Sequence, residues 1–235
     1  MNVDASEIEK FNQLARDFWD PSGPMGALHR VNPVRIDWIE RAAGPAGLAG
    51  LKVLDIGCGG GLASEAMALR GAQVTAVDQA EKLLMAAEIH AQDAGAEVDY
   101  QQASVEAFCQ AHEGQYDLVT CLEMIEHVPD PASIVAAAAQ AVKPGGTLVL
   151  STLNRSVKGF ALGIVAAEYL LRWVQPGTHR WDKFIKPSEL AGWIRGNQCT
   201  LVDSAGIVYN PLTQTFGIHP TDLDVNYLMS ARKVA

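Results

Sequence analysis

Three side chains that can take up a proton or bind a cation lie within five positions, Glu123, Glu126 and His127. Histidine titrates close to neutral pH, so His127 is suited to act as a general base. The two carboxylates and the imidazole could instead hold a divalent cation such as Mg²⁺. In a third interpretation, Glu126 and His127 only hold a loop in place by hydrogen bonds. The residues themselves leave all three interpretations open.

A second group suited to chemistry is a glycine-rich turn with four glycines between positions 57 and 61. It follows an apolar run, 53–56, that contains the acid Asp55, and an amphipathic pattern over 62–70 comes next. Glycine adopts positive φ easily and lets a ligand approach the bare backbone. Strand, turn and helix in this order are typical of a nucleotide-type cofactor site, although a plain structural turn would have the same pattern.

The residues around this turn narrow the choice of cofactor. Leu62 stands where the dinucleotide fingerprint requires its third glycine, which argues against an NAD-type oxidoreductase. Asp78 ends the second apolar run, 21 positions after Gly57, where a carboxylate can accept hydrogen bonds from ribose hydroxyls. The alternative for Asp78 is a helix cap. Together these features resemble the S-adenosylmethionine site of class I methyltransferases.

That superfamily resemblance implies a set of cofactor contacts along the chain. The glycine turn approaches the methionine part of the cofactor and the acid at the end of the second strand holds the ribose. An apolar residue after the fourth strand supports the cofactor, and the segment after the third strand borders the adenine. The positions concerned are Asp55, Gly57, Gly59, Asp78, Ser104 with its neighbour Ala103, and Leu122.

The central part of the chain alternates between strand and helix patterns. Strands are predicted over 52–55, 73–77, 98–101, 116–121 and 147–151, and helices over 62–70, 80–93, 105–112 and 131–142. This rhythm indicates a Rossmann-like α/β fold, a mostly parallel sheet with helices on both faces. Ligands bind at the carboxyl edge of such a sheet, so the loop with His127 should lie beside the glycine turn.

The rest of the chain is predicted to extend this core within a single domain, 1–235. A helical N-terminal extension, 1–45, has helices over 4–20 and from Asn32-Pro33 to Ala43, and the cofactor-binding core spans 51–155. An insertion, 156–187, contains a helix over about 159–174. The C-terminal part, 188–235, has a helix to about Arg195 and an antiparallel hairpin of the segments 200–209 and 224–232.

The insertion helix combines an apolar face with nearby positive charge. It predicts either a lid packed on the domain or an interfacial helix that touches an anionic membrane. Glu168 and Arg172 are placed for a pair on another helix face. The apolar face consists of Phe160, Ile164, Ala167, Leu171 and Val174, and the cations are Arg155, Lys158, Arg172, Arg180 and Lys183.

Composition sets the broad class. The chain has 235 residues, is 49% hydrophobic, and has a net charge of −9, which fits a folded domain with a sizeable core and disfavours nucleic acid as a partner. The four cysteines form no CxxC pair and are expected to be free thiols in a reducing cytosol. With no signal peptide and no apolar span long enough to cross a bilayer, we expect a cytoplasmic protein, peripheral on the inner face of the membrane if the insertion binds lipid.

Several segments resemble one particular family, the ubiquinone biosynthesis O-methyltransferases, over nearly the whole chain. They are Phe18-Trp19-Asp20, Leu28-His29-Arg30-Val31-Asn32-Pro33-Val34-Arg35, Glu123-Met124-Ile125-Glu126-His127-Val128-Pro129-Asp130, Ser151-Thr152-Leu153-Asn154-Arg155, Gly177-Thr178-His179, Phe184-Ile185-Lys186-Pro187, Tyr209-Asn210-Pro211 and Asp224-Val225-Asn226-Tyr227.

The family resemblance implies O-methylation of polyprenyl catechols, namely demethylubiquinol and an earlier polyprenyl hydroxyphenol. It implies that Arg35, Gly57, Asp78 and Leu122 contact S-adenosylmethionine, with Arg35 reaching the cofactor carboxylate. The position of Leu122 is often methionine in this family, which keeps an apolar side chain there. By resemblance to the mitochondrial members of the family, a divalent metal is expected at Glu123, Glu126 and His127. The resemblance also implies other ubiquinone-biosynthesis proteins as partners.

Three alternatives remain at the level of sequence. The first is a methyltransferase that modifies a soluble small molecule, at nitrogen or carbon as well as at oxygen. The second is an NAD-type oxidoreductase, and the third is a cofactor-binding module without catalysis. Binding of S-adenosylhomocysteine against NAD, and turnover on prenylated against prenyl-free catechols, distinguish them.

Overall fold

The computed structural model describes residues 2–170 and 180–234. Its described strands are β1 (Lys52–Ile56), β2 (Gln73–Asp78), β3 (Val98–Gln102), β4 (Tyr116–Leu122), β5 (Val142–Leu153), β6 (Cys199–Asn210), β7 (Thr215–His219) and β8 (Asn226–Lys233), numbered along the chain. They form one sheet with the order β3-β2-β1-β4-β5-β8-β6-β7. Strands β1 to β5 are parallel, and β8 is antiparallel to both β5 and β6. The predicted parallel sheet with a C-terminal antiparallel hairpin is therefore confirmed.

Helices cover both faces of this sheet. They are α1 (Ala5–Leu14), α2 (Gly26–Ala43), α3 (Leu62–Ala68), α4 (Glu81–Ala94), α5 (Val105–Ala111), α6 (Pro131–Ala141), α7 (Val157–Gly159) and α8 (Pro187–Gly196). One apolar core lies between the sheet and α5, α6 and α8, and the other lies between the sheet and α2 and α3. Neighbouring residues of β1 show the alternation, since Val53 joins one core and Leu54 the other.

The N-terminal helices differ from their predicted bounds. The first helix ends at Leu14 and continues as a 3₁₀ turn only to Asp17. The second begins at Gly26 rather than at Asn32-Pro33, so Pro33 lies inside α2. Proline lacks the N–H that would bond the preceding turn, but this ring is exposed and water can reach the carbonyl it leaves unbonded. Burial of Ile36, Trp38 and Ile39 holds the helix in place.

Two strand bounds were also wrong. Strand β5 begins at Val142 and not at Thr147. Val142 pairs with Tyr116 of β4, and the predicted turn 143–146 forms a register irregularity before Thr147 pairs with Leu118. The loop predicted between the last two strands contains β7, which pairs with β6 at the edge of the sheet. Its Phe216 and Ile218 pack against the core beneath α2, so the tertiary contact decides a strand that the sequence signals weakly.

The insertion is described only in part. A π-helix from Phe160 to Leu170 continues α7, where a longer α-helix was predicted. Phe160 is exposed while Ile164 is buried against Leu153 and Phe184, so the predicted apolar face is not covered as a whole. Some of the predicted features lie outside the described residues. They are the face residues Leu171 and Val174, the residue Arg172 of the predicted Glu168–Arg172 pair, and the segment Gly177-Thr178-His179.

Candidate functional site

The glycine turn folds back under β2 at the carboxyl edge of the sheet. The amides of Gly57 and Cys58 donate to the carbonyl of Val77 at 2.8 and 3.2 Å. Gly57 and Gly59 have φ of 67° and 55°, values that glycine adopts without strain. A Cβ on Gly57 would lie 2.4 Å from Cγ of Met124, so the loop after β4 closes directly over the turn.

Asp78 ties the glycine turn to the start of α4. Its Oδ2 accepts the amide of Gly59 and its Oδ1 accepts the amide of Ala80, both at 2.8 Å. Burial raises the pKa of Asp78, and these amide hydrogen bonds oppose the rise. Asp78 can therefore cap the helix and still bind a ligand. Each of its carboxylate oxygens has a second lone pair, which can accept a hydrogen bond from a ribose hydroxyl.

Asp55 is buried beneath the turn and serves its neighbours. Oδ2 accepts the hydroxyl of Ser64 at 2.6 Å and Oδ1 accepts that of Thr120 at 2.7 Å, which joins β1 to α3 and β4. Burial raises the pKa of Asp55, while the two hydroxyls and the charge of Arg35 lower it. Asp55 therefore supports the glycine turn from below and does not line the cleft that opens beside the turn.

Arg35 is a buried cation with little hydrogen bonding of its own. Its side chain is 3% exposed, its Nη2 lies 3.4 Å from Oδ1 of Asn32, and its Nε has no hydrogen-bond partner in the described structure. Burial lowers the pKa of Arg35, and the charges of Glu123 and Asp55 oppose this. A buried, under-bonded guanidinium is suited to a bidentate carboxylate ligand.

The loop after β4 presents its three candidate residues in different directions. Glu123 has φ of 53° and accepts the hydroxyl of Ser151 at 2.8 Å. Glu126 is 4% exposed, with Oε2 accepting from Thr152 at 2.8 Å and Oε1 without a hydrogen-bond partner in the described structure. Burial, and then the charge of Glu123, raise the pKa of Glu126 to about 7.

The third residue of that loop, His127, pairs with the N-terminal helix. Its Nδ1 lies 2.9 Å from Oε2 of Glu7, and the ring of Phe11 meets the imidazole edge-on at 5.1 Å between centroids. Burial by itself would lower the pKa of His127, but the hydrogen bond to Glu7 and the charges of Glu126, Glu7 and Glu123 raise it. The same hydrogen bond lowers the pKa of Glu7 to about 2.

These contacts do not form the predicted metal site. Among the residues that the structure describes, no three His, Cys, Asp or Glu side chains are placed to hold a metal ion. Glu123, Glu126 and His127 each turn to a separate partner, on β5 for the two carboxylates and on α1 for the imidazole. The arrangement of the described residues therefore does not fit the divalent cation that the sequence suggested.

A cleft of about 120 Å³, partly open to solvent, joins these parts. With α1 over it, this cleft is smaller than the roughly 300–1,000 Å³ of sites that enclose a small ligand. Of the predicted residues, Gly57, Gly59, Asp78, Glu123 and His127 line it. Arg35, Asp55, Ser104, Leu122 and Glu126 do not, although Ala103 and Val105 on either side of Ser104 do.

The roof of the cleft was not predicted. It consists of Met124 of the loop and of residues from α1 and the segment before it. The latter are Asn2, Val3, Asp4, Glu7, Ile8 and Phe11. The side chain of Asn2 exchanges two 2.7 Å hydrogen bonds with the backbone of Asp130. The spacing of Glu7 and Phe11, four residues apart, indicated that they share one face of a helix. Only the fold brings that face to His127, which lies 120 positions after Glu7.

The insertion exposes apolar side chains and pairs much of its positive charge. Lys158 bonds Asp222 at 2.7 Å, and Arg155 pairs with Glu189. Exposed apolar side chains at its described ends are Val157 (84%), Leu162 (48%), Phe160 (46%) and Trp181 (42%). No helix among the described residues is both long enough and apolar enough to cross a membrane.

Comparisons with known proteins agree with this geometry. A family model described as a methyltransferase domain matches residues 27–204. A protein of Azoarcus sp. (strain BH72), named ubiquinone biosynthesis O-methyltransferase, is 50% identical over 233 residues, covering 99% of this chain and 98% of its own length. A protein of Azotobacter vinelandii with the same name is 51% identical over 228 residues, covering 97% of each.

Solved structures share the fold at lower identity. Magnesium protoporphyrin IX methyltransferase from Synechocystis PCC 6803, with bound SAH, has a TM-score of 0.70 and 17% identity, covering 96% of this chain and 94% of that one. A possible histamine N-methyltransferase from Thermotoga maritima has a TM-score of 0.67 and 16% identity, with 97% and 99% covered. At this identity the likeness establishes the class I fold alone.

Proposed function

Because this chain belongs to the ubiquinone biosynthesis O-methyltransferases, we propose that it methylates hydroxyls of polyprenyl catechols with S-adenosylmethionine as donor. The acceptors are demethylubiquinol and an earlier polyprenyl hydroxyphenol of the same biosynthesis. The observation that carries this proposal is the 50% identity over 99% of the chain to relatives of that name. The arrangement of the cleft supports it independently.

The cofactor is proposed to lie in the cleft, against the glycine turn and Asp78. Arg35, whose Nε has no hydrogen-bond partner in the described structure, would receive the carboxylate of the methionine part. Asp78 would accept the ribose hydroxyls through its second lone pairs, while Gly57 and Gly59 let the ligand approach the backbone. Asp55 would support the turn from beneath.

Two further positions have smaller proposed roles in cofactor binding. Leu122 ends β4 and packs, half-buried, against the core beneath α2. It would limit the cofactor from the strand side. Ser104 would border the adenine together with Ala103, which lines the cleft.

The chemistry requires an oxygen nucleophile without its proton. When bound, S-adenosylmethionine supplies a sulfonium methyl group, and the C–S bond breaks with its electron pair returning to sulfur as the O–C bond forms. His127 would take the hydroxyl proton, because it is the histidine among the described residues that line the cleft. Glu123 and Glu126 would hold the loop through Ser151 and Thr152, and their negative charge favours the imidazolium that results.

Contact with a membrane is proposed for the insertion. A prenylated acceptor resides in lipid, and the exposed side chains of Val157, Phe160, Leu162 and Trp181 are suited to the headgroup region. Apolar burial would contribute more than charge, since Lys158 and Arg155 already have acidic partners. A peripheral position on the inner face of the cytoplasmic membrane would also bring other ubiquinone-biosynthesis proteins near.

The function is tested by turnover with matched acceptors. The parent protein is incubated with S-adenosylmethionine and a prenylated catechol, a prenyl-free catechol, or a soluble amine, and methylated product is measured by mass spectrometry. Methyl transfer to the oxygen of the prenylated catechol, at a higher kcat/KM than the prenyl-free one, is expected. Transfer only to a soluble acceptor would assign the enzyme another substrate class, and cofactor binding without turnover would make it a binding module.

The membrane contact is tested separately with a double variant, Phe160→Ser and Leu162→Ser. Co-sedimentation with vesicles of anionic and zwitterionic phospholipid should fall several-fold relative to the parent protein, because each exposed apolar side chain loses its burial in the headgroup region. The control is Leu69→Ser, which removes a 57% exposed leucine located just after α3. Equal sedimentation of parent and double variant would leave the insertion as a lid only.

A further inference from the structure

The N-terminal helix reaches the proposed catalytic histidine directly. Glu7 and Phe11 lie one turn apart on the face of α1 that covers the cleft, and both contact the ring of His127. The carboxylate of Glu7 is only an acceptor, so the 2.9 Å contact requires the proton of the imidazole to be on Nδ1. The ring lone pair of the neutral histidine is then on Nε2.

Other contacts make the position of this helix definite. Asn2 bonds the backbone of Asp130 in both directions at 2.7 Å, and Asp130 follows His127 by three positions in the same loop. At the other end, Oδ1 of Asn12 accepts the amide of Lys82 at the start of α4 at 3.0 Å. Helix α1 is thus bonded on one side to the loop that carries the histidine and on the other to the helix that follows Asp78.

Glu7 itself is held on both carboxylate oxygens. Oε2 faces His127, and Oε1 accepts from Lys10 at 2.6 Å, one turn further along the helix. The Glu7 side chain is 19% exposed and that of His127 is 12% exposed, so the hydrogen bond lies largely out of water. These contacts limit the rotation of the imidazole from a helix that precedes the sheet in sequence.

We propose that Glu7 is a positioning residue, which holds His127 in the Nδ1–H form and so orients the base only while α1 covers the cleft. The inference rests on the proposed function of His127 as the base. It adds that the N-terminal helix, which covers the cleft, also completes the catalytic site. Glu7 does not itself touch the acceptor.

The test compares Glu7→Gln with Glu9→Gln in the full chain. Both variants remove one carboxylate from the same helix, and Glu9 is exposed. For Glu7→Gln, kcat on the prenylated catechol should fall about tenfold or more, while KM and the Kd for S-adenosylhomocysteine stay within about threefold. Glu9→Gln should match the parent in all three quantities.

A spectroscopic readout separates positioning from a structural effect. With ¹⁵N-labelled histidine, the ring nitrogens of His127, assigned through the His127→Gln variant, should report the Nδ1–H form in the parent and lose that preference in Glu7→Gln. Unchanged ring signals, or kcat within threefold of the parent, would overturn the inference. If His127→Gln itself keeps full kcat, the base assignment in the proposed function fails instead, whatever Glu7 does.

Discussion

Replacing Arg35 tests the cofactor site most directly, because the structure leaves this guanidinium under-bonded. In the free protein the side chain is 3% exposed, with one 3.4 Å contact to Asn32 and no hydrogen-bond partner for Nε. A ligand carboxylate would supply charged hydrogen bonds, and a net loss equal to one of them is about 1.5–3 kcal/mol. We therefore expect Arg35→Met to lose roughly 10- to 150-fold in affinity for S-adenosylhomocysteine, at 1.4 kcal/mol per factor of ten.

A double cycle isolates the contact from general damage. Affinities of parent and Arg35→Met are measured by titration calorimetry for S-adenosylhomocysteine and for its decarboxylated analogue. The parent should discriminate between the two ligands by about 1.5–3 kcal/mol, and the variant should bind both with similar, weak affinity. Arg41→Met, at an exposed position of the same helix, should keep the discrimination of the parent.

The refuting result is a coupling energy near zero. If Arg35→Met loses the same affinity for both ligands, the guanidinium acts on the fold of the site and not on the carboxylate. If the parent binds both ligands equally, no residue of this chain recognises the carboxylate strongly. Melting curves without ligand establish that each variant is folded before its affinity is compared.

Two other predictions concern stability. Gly60→Ala should lower the free energy of unfolding by about 1–3 kcal/mol, because the new Cβ would lie 2.3 Å from Cδ1 of Phe18. Gly192→Ala has no atom within 4 Å of its new Cβ and should raise the free energy of unfolding by up to about 1 kcal/mol. Both are measured by urea unfolding, and equal effects of the two changes would contradict the packing described. The Glu7–His127 pair should stabilise the protein by about 0.5–1 kcal/mol, measured as the difference in unfolding free energy between parent and Glu7→Gln across pH. The pKa of Glu7 falls from 4.5 to about 2 on folding, so its contribution is present above pH 4.5 and is lost as the pH falls toward 2. The folded pKa of His127 is raised above 6.5, so its contribution is complete below pH 6.5 and is lost as the pH rises through the folded value; a difference that does not peak between about 4.5 and 6.5 would contradict the pairing.

Much of the fold could be predicted because its signals are local. The central parallel strands are buried on both faces and are bounded by turn residues, so apolar runs such as 53–56 marked the strands to within a residue or two at most ends. The glycines at 57 and 59 and the acid at 78 follow from the backbone and hydrogen-bonding needs of a ligand at the carboxyl edge. Those needs are tied to single residues and are therefore readable along the chain.

Other features depended on contacts between distant segments. Pro33 fits inside α2 only because the apolar side of that helix is buried, and β7 forms only because an edge of the sheet is available to it. The sequence offered three interpretations of His127, as a base, a metal ligand or a residue that fixes the loop. The tertiary structure adds that the imidazole pairs with Glu7 of the N-terminal helix.

The sequence alone therefore determined the order of strands β1 to β5 and of the helices between them, the glycine turn and the acid that faces it, since spacing and residue type specify these locally. Only the tertiary structure decided that the predicted metal trio turns to three separate partners, that Arg35 is buried without full hydrogen bonding, and that α1 closes the cleft. The physical reason is that hydrogen bonding and burial of a side chain depend on what the folded chain places next to it. For Glu7 and His127, that neighbour lies 120 positions away.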